Sequence, residues 1–112
     1  MSALVYCPFP DAASASEVGQ KLLDEGLIGC INIGAPVASL FDWAGVRGEG
    51  EGEECPALVK TDASLLERAI ARLEDLHPYE APAILGWPCI AGKATAGWLA
   101  GLDGEDGSNV QQ

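Results

Sequence analysis

Hydrophobic positions along this chain recur with two periods, and the switches between them mark its elements. Residues 3–7, ALVYC, form a short apolar run that Pro8 and Pro10 close, which predicts a strand. In the following DAASASEVGQKLLDEG, Ala15, Val18 and Leu22 fall on one helical face. Asp11 stands where an N-cap belongs, Ser14 with Glu17 offers a capping box one turn later, and Gly26 suits the helix C-terminus. From Leu27 to Trp43 the pattern predicts a long, interrupted strand, bent at Gly34 and Pro36. AGVRGEGEGEE then predicts a hairpin loop with its flanks, because glycines and acids cannot pack, and CPALVKT is the returning strand.

The second helix, DASLLERAIARLEDLH, has the clearest stripe: Leu66, Ala69, Ile70 and Leu73. Asp62 or Ser64 can cap it, Ser64 with Glu67 makes a capping box, and Pro78 ends it. Residues 83–90, AILGWPCI, predict a last strand and KATAGWLAGL a short helix. The polar residues 103–112 predict a disordered tail behind a single domain at 1–102.

This β-α-β-β-α-β order with a terminal helix is the pattern of a ferredoxin-like α+β sandwich. Strand one is expected between strands three and four, parallel to three and antiparallel to four. Cys7, Lys60 and the segment carrying His77, Tyr79 and Glu80 then meet at one sheet end.

Composition changes the picture in two ways. Seventeen acidic against six basic residues give a net charge of −11, which disfavours nucleic acid and anionic membranes as partners. The longest uncharged run, 26–41, carries Asn32, Pro36 and three glycines and falls short of a membrane span, and no export signal is evident. The four cysteines, Cys7, Cys30, Cys55 and Cys89, make no C-x-x-C pair, so free thiols in a reducing cytoplasm are expected.

Candidate chemistry centres on LHPYEAP at 76–82, which holds the chain's one histidine. His77 reads either as a ligand or as a helix-terminal residue. Cys7, close before a helix N-terminus, reads as a thiolate of lowered pKa suited to copper or zinc, or as an ordinary buried cysteine. Tyr79 and Glu80 offer hydrogen bonds to a small ligand, and Lys60 offers a partner for Glu80 or for an anion. The acidic run from Glu49 to Glu54 has no cation-cage spacing. No serine–histidine–aspartate order, H-E-x-x-H or phosphate-cradling loop is present, so no enzyme chemistry is expected.

Taken together, YCPFPD, GLIGCINI, SLFDWAG, LVKT, HPYEAP and GWLAGL resemble, in order and spacing, the divalent-cation tolerance proteins called CutA. The likeness runs from about Leu4 to Leu102. It implies a ferredoxin-like protomer in a tight homotrimer, with long hairpin strands pairing across subunits. Independently, Val37, Phe41 and Trp43 put apolar bulk on one side of a strand that so small a domain has difficulty covering. The resemblance also implies a role in the response to divalent ions, copper among them, with Cys7 and His77 as candidate ligands and no obligatory cofactor. Ala83 stands where relatives commonly carry glutamate, and Val46 where lysine is usual. Alternatives are a trimeric small-molecule or protein-binding module resembling PII signalling proteins, and a trimeric scaffold without a ligand.

Overall fold

A computed structural model describes residues 1–102, and for residues 49–53 the backbone alone. The tail expected at 103–112 lies outside the described residues. In chain order the elements are β1 (Ser2–Phe9), α1 (Ala12–Asp24), β2 (Cys30–Ile33), β3 (Val37–Trp43), β4 (Val46–Asp62), α2 (Leu66–Leu76), β5 (Leu85–Cys89) and α3 (Lys93–Ala100). A single 3-10 turn, Ala63–Leu65, leads into α2.

The helices start and stop where local chemistry requires. Asp11 caps α1 by accepting from the Ser14 amide at 2.7 Å. Gly26 takes a left-handed φ of 73° just past its end. Asp62 caps the 3-10 turn that leads into α2, its carboxylate accepting from both the amide and the hydroxyl of Ser64, whereas α2 itself starts from Leu65 with no side-chain cap. His77 leaves helical geometry at φ −68° and ψ 140°, because a residue before proline is driven out of the α region.

The sheet order is β2-β4-β1-β5, with β3 paired to the outer part of β4, and every pairing is antiparallel. The expected parallel pairing of strands one and three is therefore wrong. The α1 crossover returns the chain in the direction of β1, so β2 runs with β1. The turn after β3 then reverses the chain, and β4 must run against both. Register follows: Phe9 faces Cys55, Cys7 faces Ala57, Leu4 faces Lys60 and Ser2 faces Asp62.

The glycine-acid stretch expected as a loop is instead strand. Only Ala44 and Gly45 turn, at φ 51° and 83°, and β4 runs unbroken from Val46. Both turn residues need positive φ, the geometry of a two-residue hairpin that follows the strand twist. Phe41 explains how so glycine-rich a strand is covered: its ring lies on Gly48 across the hairpin, where an added Cβ would meet it at 2.1 Å. This arm makes the molecule long, 46 × 25 × 23 Å.

The core lies between the inner face of the sheet and helices α1 and α2. Ala3, Val5, Cys7 and Phe9 alternate inward along β1, and the last three meet Ala57 and Val59 of β4 and Ala15, Val18, Leu22, Ala69 and Leu73 of the helices. Thr61, fully buried, is satisfied by donating from Oγ1 to the Leu27 carbonyl at 2.8 Å.

Candidate functional site

The antiparallel register decides which residues meet. The end of β1, the middle of β4 and the end of α2 converge, so Pro8, Phe9, Glu54, His77 and Tyr79 form one cluster. Lys60 is not part of it: it lies across from Leu4 and Cys30, towards the opposite end of the sheet. Within one protomer Lys60 therefore stands apart from Tyr79 and Glu80, and Glu80 is exposed.

His77 is built into the protein rather than presented to it. Its ring stacks on Phe9 with centroids 4.4 Å apart and planes 18° from parallel, and tilts against Tyr79 at 4.8 Å. The residue is only 7% exposed. Nε2 lies 2.8 Å from the Pro8 carbonyl, and Nδ1 lies 3.0 Å from the Tyr79 amide. A carbonyl only accepts and an amide N–H only donates, so Nε2 carries the proton and Nδ1 the lone pair. Burial holds the pKa of His77 below its ordinary value, against the opposing pull of the Pro8 carbonyl and Glu54. His77 is therefore a neutral imidazole with both nitrogens engaged.

Of its two readings, Cys7 fits the ordinary buried cysteine of a strand and not the thiolate of lowered pKa. It is fully buried, and desolvation, helped by the Glu54 charge, pushes its thiol up to about 12. The expected lowering by the α1 N-terminus does not occur, since Cys7 lies within β1 under the helices, four residues before the Asp11 cap. A protonated thiol and an imidazole without a free lone pair do not fit a metal centre. Among the described residues, no three histidine, cysteine or acidic side chains group together as a cage would require.

Glu54 is the member that sequence reasoning missed. Its two carboxylate oxygens accept from the Ser39 hydroxyl at 2.8 Å and from the Tyr79 hydroxyl at 3.1 Å. The Tyr79 hydroxyl is pushed up to about 12, mainly by burial and then by its bond to Glu54, so it remains a donor. An antiparallel pairing of CPALVKT with ALVYC would have placed Glu54 beside the end of β1. One chain of contacts thus runs from α2 through His77 and Tyr79 to Glu54 and Ser39 at the root of the arm.

Beside this root lies a cleft of about 430 Å³, lined by Asp11, Ile33, Gly34, Ala35, Pro36 and Cys55 among others. On the arm itself Leu40 is 78%, Phe41 49% and Trp43 62% exposed, and Val37 is also exposed. The outer face of the sheet adds Tyr6, Leu85 and Trp87. No described helix is long and apolar enough to cross a membrane.

An antiparallel sheet with two crossover helices, a third helix and a projecting arm anchored by a neutral histidine cluster defines a small mixed α/β protein built around one sheet. Residues 3–101 match the family described as CutA1 divalent ion tolerance protein. The divalent-cation tolerance protein CutA of Pyrococcus horikoshii is 42% identical over 82 residues, 73% of this chain and 78% of that one. Its counterpart in Thermotoga maritima is 39% identical over 82 residues, 72% of this chain and 77% of that one. A crystal structure of Pyrococcus horikoshii CutA superposes with a TM-score of 0.79 at 34% identity, covering 89% of this chain and 97% of that one. The chain belongs to the CutA1 divalent ion tolerance family.

Proposed function

We propose that this protein acts in the response to divalent metal ions as a homotrimer of ferredoxin-like protomers, binding ions such as copper weakly and catalysing no reaction. The observation that carries this reading is the arm. Val37, Leu40, Phe41 and Trp43 stand in solvent on an isolated hairpin, together with the apolar outer face of the sheet. Bare two-stranded ribbons are marginal in water, and exposed apolar patches of this kind mark interfaces. Pairing of arms between three copies covers both surfaces and leaves the α1 and α2 layer outside.

The Cys7–His77 pair is not the ion site in this proposal. Weak ion binding falls instead to the acidic surface, whose net charge of −11 concentrates cations without a cage. The protein acts in the cytoplasm, where its four free cysteines stay reduced. Light scattering coupled to gel filtration tests the assembly, with three times the 11.6 kDa protomer mass expected. A monomer at micromolar concentration overturns it. Titration with copper(II) and with zinc should give weak heats that a Cys7→Ser/His77→Gln variant retains. Loss of those heats would return the site to that pair.

A second reading is a small-molecule-binding module shaped like PII proteins, favoured by the cleft of about 430 Å³ at the arm root. Thermal-shift screening with nucleotides and metabolites separates the two, and a stabilising hit there would favour the module.

A further inference from the structure

We propose that the cavity between the Lys60 end of the sheet and α3 binds a small organic carboxylate with an apolar body. The strand alternation that sends Ala3 and Val5 inward sends Ser2 and Leu4 to the opposite face, beside Asp62 and Lys60. Helix α3 lies over this end of that face, with Leu99 buried and its side chain against Gly29. Between them remains a cavity of about 280 Å³, lined by Ser2, Leu4, Lys60, Gly92, Thr95 and Trp98 among others. That volume lies at the small end of ordinary ligand pockets.

Three features of this cavity together suit an anion: one asks for a polar partner and two favour negative charge. Ser2 is 3% exposed, and its Oγ is buried without a hydrogen-bond partner, a state that native proteins rarely tolerate. Helix α3 starts on Gly92, which has no side chain to cap it, and its first internal bond runs from the Ala96 amide to the Gly92 carbonyl at 2.8 Å. The amides of Lys93, Ala94 and Thr95 therefore have no helix carbonyl, at the end where the helix dipole is positive. Lys60 forms no ion pair among the described residues. Asp62, the acid beside it on that face, already accepts from the amide and hydroxyl of Ser64 at 3.1 and 2.6 Å.

The remaining wall selects the rest of the ligand. Leu4, Trp98 and Leu99 offer apolar surface and no further charge. One ammonium in a chain of net charge −11 suits a singly charged carboxylate better than a phosphate dianion. The carboxylate meets Lys60 and the α3 amides, Ser2 donates to it, and the hydrocarbon part lies against Leu4 and Trp98. This inference stands apart from the ion-response reading.

The probe is sodium butyrate, titrated into nitrogen-15-labelled protein at fixed ionic strength, with butyramide and inorganic phosphate in parallel. Butyrate should shift the Lys93, Ala94 and Thr95 amides saturably, with butyramide and phosphate at least tenfold weaker. Lys60→Met should weaken butyrate at least tenfold, and Ser2→Ala several-fold. No saturable shift at α3, equal binding of butyramide, phosphate as tight as butyrate, or unchanged affinity in Lys60→Met would each overturn the proposal. Should Lys60→Met fail to fold, the butyrate–butyramide comparison on the unaltered protein decides.

Discussion

At the scale of single residues, the governing fact is that the chain's one histidine is buried neutral. Its folded pKa lies below the unfolded value of about 6.5, so the unfolded chain binds a proton that the folded one refuses. The His77 contribution to stability is thus complete above pH 6.5 and declines as pH falls below it. Melting temperatures between pH 5 and 7.5 should fall on acidification, and His77→Gln should flatten that slope. An unchanged slope in the variant would deny His77 this role. Asp11 and Glu25, held below the usual carboxylate range by Ser14 and Arg72 respectively, titrate at lower pH and do not confuse the test. A second residue-level expectation concerns Thr61. Thr61→Val removes the donor to the Leu27 carbonyl and leaves a buried acceptor unpaired, a loss of about 1–3 kcal/mol readable by urea unfolding.

At the scale of elements, the turn of the arm makes a further prediction. Ala44 holds a left-handed φ of 51°, which costs a residue with a Cβ roughly 1 kcal/mol and which asparagine tolerates better. Ala44→Asn should therefore raise stability by about 0.5–1 kcal/mol, measured as a higher urea midpoint with unchanged slope. The two central helices are legible in the sequence because their stripes, caps and stops agree: Asp11, Gly26 and Pro78 each do locally what local chemistry demands. The outer half of β4 is not. Glycine and glutamate have poor strand propensity, and what holds them extended is pairing with β3 and the Phe41 ring over Gly48, neither visible from composition. Strand direction misled in the same way. It follows from how many times the chain reverses, and that error alone moved Lys60 into the candidate cluster and left Glu54 out.

At the scale of the whole molecule, the cluster of Phe9, His77, Tyr79 and Glu54 ties the α2 end to the arm, while the apolar arm faces outward. In a trimer the arm carries the contacts between copies. Replacing Trp43 and Leu40 together by aspartate should shift the scattering mass from three protomers to one while circular dichroism keeps its helical signal. Retention of the trimer in that variant would move the interface elsewhere. HPYEAP, which the sequence leaves open between a ligand motif and a helix stop, ends α2 and joins the layers within the protomer. The sequence shows the motif but not the two hydrogen bonds that occupy His77, which depend on Pro8 lying 69 positions away in the chain.

One last consequence comes from where the large rings lie. Phe9 is wholly buried, whereas Trp43, Trp87 and Trp98 are all exposed, on the arm, on β5 and on α3. Indole emission in this protein therefore samples the sheet's outer surfaces and the arm, not the interior. In the proposed trimer, a denaturation curve followed by tryptophan fluorescence would record the uncovering of those surfaces, and the far-ultraviolet dichroism of the helices would record the loss of the packed protomer. The two curves separating would be an optical sign that neighbouring copies let go before the protomer melts.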